Sequence, residues 1–192
     1  GIHLNRIEAA NSPADESWAN IVAMDDLVRA ILTTDDRLTV AALRGNAGAG
    51  GVFLALAADH VVARRGVVLN PHYKNMGNLY GSEYWTYSLP RRVGEATGNT
   101  IMEHRLPLLA SEALELGLVD ELAGDDPEAT EAEVARRAAE WSRSDGLERA
   151  VAAKRTELAT AGGPEALDAY RAEELERMRL NFYGFDPSFH VA

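Results

Sequence analysis

Apolar residues recur at helical spacing early in the chain: Trp18, Ile21, Val22, Met24, Leu27, Val28, Ile31 and Leu32 share one broad face. Ser12-Pro13 sets an N-cap residue before a proline at the first helical position, with Asp15 in the first turn. The polar run 33–37 stops this helix. Residues 38–43 (LTVAAL) then predict a short buried strand, residues 45–51 (GNAGAGG) a turn of very small side chains, and residues 52–58 (VFLALAA) a buried helix. Two more strands are predicted at 59–63 (DHVVA) and 66–70 (GVVLN). Past an aromatic stretch, one helix ends at Gly94. Another is predicted from Leu106-Pro107 to Gly117, followed by a strand-like return over 118–122. From Asp125 the texture becomes charged and amphipathic, with helices predicted over 127–141, 147–158 and 164–180, packed on or swapped against the core.

Composition narrows the function classes. At 192 residues the chain suits one domain with a real core, and 46% hydrophobic with 26% charged residues is the mix of a soluble globular protein. A net charge of -11 argues against nucleic acid and against an anionic membrane surface as partners. Without cysteine there is no disulfide, no thiolate nucleophile and no Cys zinc site, which fits a reducing, cytoplasmic compartment. No apolar run reaches the roughly 18 residues of a membrane span. His3, His60, His72, His104 and His190 lack ligand-like spacing, so no metal site is expected. The opening GIHLNRIEAAN, with no initiator Met, reads as the interior of a longer protein.

The chemistry concentrates between Pro71 and Arg92. Tyr73, Tyr80, Tyr84, Tyr87, Trp85, His72, Lys74 and Glu83 fall within this stretch. Ionisable groups among aromatic faces suit a partly buried pocket with a tuned acid or base, although Tyr and Trp also favour interfaces. Glu83 is the carboxylate that such surroundings would push upward; an exposed Glu on an amphipathic turn is the plain alternative. Between a strand and a helix, the glycine-rich turn offers backbone N–H groups to an oxyanion. It lacks the Gly-Lys-Ser/Thr ending of a phosphate loop, and close helix–strand packing would also explain it.

Three pieces of the chain resemble the crotonases, the enoyl-CoA hydratase/isomerase superfamily. Gly1-Ile2-His3-Leu4 is similar to the end of the first oxyanion-hole motif, and 46–59 (NAGAGGVFLALAAD) to the second. The stretch from Thr97-Gly98-Asn99 to Ala113 and Gly117-Leu118-Val119 resembles the segment that follows. The resemblance implies an α/β fold: a crotonase-like ββα spiral core over 1–122, its first strands missing, and a C-terminal helical region over 123–192. It implies a CoA thioester, with coenzyme A as the carrier, whose carbonyl oxygen is held by the backbone N–H groups of Ile2 and Gly50. Phe53 stands where hydratases carry one catalytic Glu, and the other falls near His72-Tyr73, so water addition by paired carboxylates is not expected.

The stretches ALRGNAGAGGVFLALAADHVVAR and GVVLNPHYKNMGNLYGSEYWTYSLPRRVG, with the closing NFYGFDPSFHVA, resemble one branch more closely. That branch is the C-terminal half of two-domain [NiFe]-hydrogenase maturation factors. It implies formyl-CoA as substrate, carbon monoxide as product, a preceding formyl-tetrahydrofolate transferase-like domain, and hydrogenase maturation proteins as partners. Tyr73 and Glu83 would move the proton, while Gly51, Phe53, Tyr80 and Tyr84 would line the substrate. Arg64, Arg65, Arg91 and Arg92 are candidates for CoA phosphate contacts or for surface ion pairs. An ordinary acyl-CoA isomerase, hydratase or thioesterase, or a non-catalytic binding domain, are the alternatives.

Overall fold

A computed structural model of the protein describes residues 4–191. The elements run in the order α1 (Leu4–Glu8), α2 (Pro13–Leu32), β1 (Val40–Leu43), β2 (Ala47–Gly48), α3 (Gly50–Leu56), β3 (His60–Arg64), β4 (Val68–Asn70), α4 (Trp85–Val93), α5 (Glu95–His104), β5 (Leu108–Leu109), α6 (Ala110–Leu116), β6 (Glu121–Ala123), α7 (Pro127–Trp141), α8 (Leu147–Thr160), α9 (Gly163–Tyr183) and α10 (Ser188–Val191).

The first four strands alternate between two sheets, β5 joins the second and β6 the first. The first sheet has the order β1-β3-β6, all parallel, with Val40 opposite His60 and Val62 opposite Glu121. In the second, β2-β4-β5, Gly48 is opposite Asn70 in parallel and Val68 opposite Leu109 in antiparallel. The first two turns each lay one strand in each sheet and cross back by helix, the ββα spiral; in the last, β5 enters the second sheet and α6 leads to β6 in the first. Val52, Phe53, Val61, Leu69, Leu89 and Leu118 form the shared core, all buried. Burying one such side chain contributes roughly 1.5–3 kcal/mol, so this interface fixes where α3 lies against the strands.

Helix α2 begins as its sequence dictates: the Ser12 hydroxyl accepts the Asp15 N–H at 3.3 Å, with Pro13 in the first turn. Its buried stripe is Ser17, Ile21, Asp25 and Val28. Helix α9 buries Leu167, Glu174, Met178 and Phe182. The two helices pack together, with Ile21, Met178 and Phe182 in one cluster.

Some boundaries differ from the sequence pattern. The first strand starts at Val40, and the glycine-rich turn itself contains β2. The helix predicted from Leu106 starts at Ala110, because Leu108-Leu109 pairs with β4 and the Glu112 carboxylate caps the Leu109 N–H at 2.7 Å. Helix α5 carries no strong apolar period and was not predicted. It follows α4 after Gly94, whose φ of 80° breaks the helical path. Among the described residues no helix is long and apolar enough to cross a membrane, and no three His, Asp or Glu side chains cluster as metal ligands.

Candidate active site

Between β4 and α4 the chain makes a long excursion that returns through Gly81-Ser82-Glu83-Tyr84. Gly81 has φ 104°, and a Cβ there would come within 2.3 Å of the Tyr73 ring carbons. The Tyr73 ring therefore packs against the Gly81 backbone at a distance that a side chain there would block. From that position the Tyr73 hydroxyl lies 2.6 Å from Glu83 Oε2 and 2.9 Å from the Ser82 carbonyl oxygen. Tyr73 is 4% exposed and Glu83 only 1%.

The Glu83 carboxyl rests against the first residue of α3. A Cβ on Gly50 would come within 2.6 Å of both Cδ and Oε1 of Glu83. Gly50 opens α3, so its N–H is one of the first-turn donors without a partner inside the helix. One turn on, Phe53 stacks on Tyr73 with ring centroids 5.6 Å apart and planes 11° apart. Trp85 lies 6.4 Å from Phe53, and Tyr80 lies 5.4 Å from Trp85. The carboxyl thus sits between a glycine backbone and an aromatic wall.

Burial dominates the electrostatics. It raises the Glu83 carboxyl above the usual carboxylate range, with the Tyr73 hydrogen bond pulling the other way. Burial, and then the Glu83 charge, push the Tyr73 phenol well up, so Tyr73 remains a donor. One hydroxyl hydrogen faces two acceptors. With Glu83 ionised, that hydrogen goes to Oε2. With Glu83 protonated, the acid donates to the Tyr73 oxygen, and Tyr73 donates to the Ser82 carbonyl. Both protonation states are satisfied without moving a heavy atom.

Of the residues singled out from the sequence, the structure brings together Tyr73, Glu83, Gly50 and Phe53, with Tyr80 joined through Trp85. It does not bring in the Tyr84 ring, which is buried with Val28, Ala57 and Leu167. Gly51 faces the other way, toward Leu27, Ile31 and β1. Ile2 lies outside the described residues. The four arginines are engaged elsewhere. Arg64 donates to the Arg44 carbonyl at 2.8 Å, and Arg65 pairs with Asp125 at 3.7 Å. Arg91 pairs with Glu157, and Arg92 with Asp120 at 2.7 Å.

Sequence reasoning missed the supports of this turn. Asp25 Oδ1 accepts the Glu83 N–H at 2.8 Å, and Glu174 accepts the N–H groups of Tyr84 and Thr86 at 2.9 and 2.8 Å. A signal was present: Asp25 falls on the stripe of Ile21 and Val28, and Glu174 on that of Leu167, Met178 and Phe182. An acidic residue inside an apolar stripe requires a buried partner.

The family described as enoyl-CoA hydratase/isomerase matches residues 2–177. The hydrogenase maturation factor HoxX of Bradyrhizobium diazoefficiens is 55% identical over 192 residues, covering 100% of this chain and 34% of that protein. The crystal structure of HypX from Aquifex aeolicus in complex with tetrahydrofolic acid superposes with a TM-score of 0.95 at 51% identity, over 100% of this chain and 34% of that one. An enoyl-CoA hydratase from Mycobacterium avium subsp. paratuberculosis K-10 gives a TM-score of 0.76 at 26% identity, over 93% of this chain and 70% of its own. The chain thus spans about a third of the length of its HoxX and HypX relatives.

Proposed function

Since the chain belongs to the enoyl-CoA hydratase/isomerase family, we propose that it is the C-terminal, crotonase-like portion of a hydrogenase maturation factor, and that it releases carbon monoxide from formyl-CoA. The likeness to HoxX and HypX over the whole chain supports the setting. The observation that carries the chemistry is the buried Tyr73–Glu83 pair, in which both protonation states of Glu83 have hydrogen-bond partners.

Formyl-CoA carries hydrogen on its carbonyl carbon. Its conversion to carbon monoxide and free CoA removes that proton, breaks the C–S bond with the electron pair going to sulfur, and protonates the thiolate. Glu83 takes the proton from carbon and returns it to sulfur, so the reaction is proton-neutral and needs no other reactant. Tyr73 holds the carboxylate in place and stabilises each protonation state in turn. The Gly50 N–H is the donor offered to the thioester oxygen; such a donor contributes about 3 kcal/mol to the transition state in comparable sites. Phe53, 0% exposed at the position where hydratases hold a Glu, keeps water from the thioester.

The test uses the full-length parent protein with formyl-CoA under anaerobic conditions, reduced haemoglobin trapping the gas. Carbon monoxide that disappears with Glu83→Gln, and falls at least about 100-fold with Tyr73→Phe, is the expected result. Formate and CoA without carbon monoxide would mark a thioesterase and refute the proposal.

A further inference from the structure

We infer that Asp25 on α2 and Glu174 on α9 are positioning residues that hold the Glu83 turn in its working geometry by accepting its backbone N–H groups; this rests on the reading of Glu83 as the proton acceptor. Glu83 and Tyr84 are consecutive non-glycine residues in the left-handed region, at φ 63° and 57°. L residues avoid that region, and two in succession do not persist without external restraint. The restraint comes from both sides. Asp25 Oδ1 takes the Glu83 N–H at 2.8 Å. Glu174 Oε2 takes the Tyr84 N–H at 2.9 Å, while its Oε1 takes the Thr86 N–H at 2.8 Å and the Thr86 hydroxyl at 2.6 Å.

The same face of α9 continues the grip. One turn beyond Glu174, the Met178 sulfur accepts the Gly81 N–H at 3.1 Å, and Asn181 Oδ1 accepts the Tyr80 N–H at 2.8 Å. Residues 174, 178 and 181 lie at i, i+4 and i+7, so one helix face reads the turn from Tyr80 to Thr86.

Helix packing alone does not account for these acids. Both are 0% exposed. Among the described residues Asp25 has a single cation near it, Arg171 at 3.8 Å, and that arginine is already paired with Asp26 at 2.6 Å. Apolar residues would serve α2–α9 packing better, because an unpaired buried carboxylate is costly. They would also leave three N–H groups of a strained turn without acceptors, and a lost acceptor frees the turn to relax. The acids are placed where the turn needs acceptors and where the helix faces alone would exclude them.

The experiment measures formyl-CoA turnover by the full-length parent, with circular dichroism and thermal melting alongside. In folded Asp25→Ala and Glu174→Ala proteins kcat falls about 30–100-fold while KM stays within about threefold, since a misplaced base costs rate and not binding. Asp25→Asn keeps an acceptor and restores kcat to within about fivefold. Glu174→Gln keeps one acceptor of two and falls between. Full kcat in the alanine variants, or losses that only follow the unfolded fraction, overturn the inference. Should the alanine variants not fold, an Asp25→Asn protein of unchanged melting temperature that loses as much activity as Glu83→Gln overturns it as well. An active Glu83→Gln removes the reading of Glu83, and this inference with it. An inactive Glu83→Gln beside active Asp25→Ala and Glu174→Ala removes the positioning role alone.

Discussion

Placing a methyl group on Gly50 tests the geometry most directly. In Gly50→Ala the new Cβ would lie 2.6 Å from Cδ and Oε1 of Glu83 and 2.9 Å from Oε2. An ordinary contact is about 3.4 Å, so the carboxyl has to withdraw by about 0.8 Å. It has little room: its backbone N–H is held by Asp25 at 2.8 Å, and its Oε2 faces Tyr73 at 2.6 Å. Withdrawal therefore stretches the Tyr73–Glu83 hydrogen bond or bends α3 away from Phe53. Overpacking of this kind costs roughly 1–3 kcal/mol, and a chain of this size loses about 2–4 °C of melting temperature per kcal/mol. A base displaced by nearly 1 Å loses about 100-fold in rate. The assay is carbon monoxide release by the full-length parent, paired with a melting curve. Unchanged kcat and an unchanged melting temperature would show that the carboxyl does not lie against Gly50, and the site as drawn would be wrong.

Gly81→Ala combines a φ of 104° with a Cβ within 2.3 Å of the Tyr73 ring, so its melting temperature is expected to fall further than that of Gly50→Ala in the same scan. Phe53→Ala opens a buried cavity worth about 3–5 kcal/mol and admits water; measured products are expected to shift from carbon monoxide toward formate. Burial raises Asp25 to about 7 and Glu174 to about 8, above their ordinary values. Folding then favours their protonated forms, so stability is fully present below about pH 4, where the unfolded carboxyls also bind protons, and declines as pH rises toward 8. Melting temperature across that range should drop, and less steeply in Asp25→Asn. Tyr73→Phe removes the hydrogen bond that lowers the Glu83 carboxyl. Where residual turnover is measurable, its rise with pH is expected at higher pH than in the parent, because Glu83 must be ionised to accept the proton.

The fold was legible where one local rule acted alone. Ser12-Pro13 opened α2, Gly94 closed α4, and the apolar runs of β3 and β4 appeared as strands. It was less legible where tertiary pairing overrode the local pattern. Leu108-Leu109 continues smoothly into the α6 pattern, and only its partner β4 makes it a strand. Helix α5 has a weak apolar stripe, with Gly98 and Ile101 as its buried residues, and left little periodicity to read.

The site divides along the same line. Glu83 was visible from its residue type among aromatics, Phe53 from its position in the family pattern, and Gly50 from both, and the structure links them with Tyr73 in one chain of contacts. Tyr84 was singled out for its hydroxyl. Its backbone is what matters near Glu83: at φ 57° it turns the ring away into the cluster with Val28 and Leu167 and presents its N–H to Glu174. A sequence records the side chain of a residue and is silent on the hydrogen bonds of its backbone. Asp25 and Glu174 stand 58 and 91 positions from Glu83 in the sequence and meet the turn only after α2 and α9 have packed. An acid in an apolar stripe still tells where to look: its burial is costly, so the groups that satisfy it are ones the fold must hold in place. Here those groups are the N–H donors of the turn that carries Glu83.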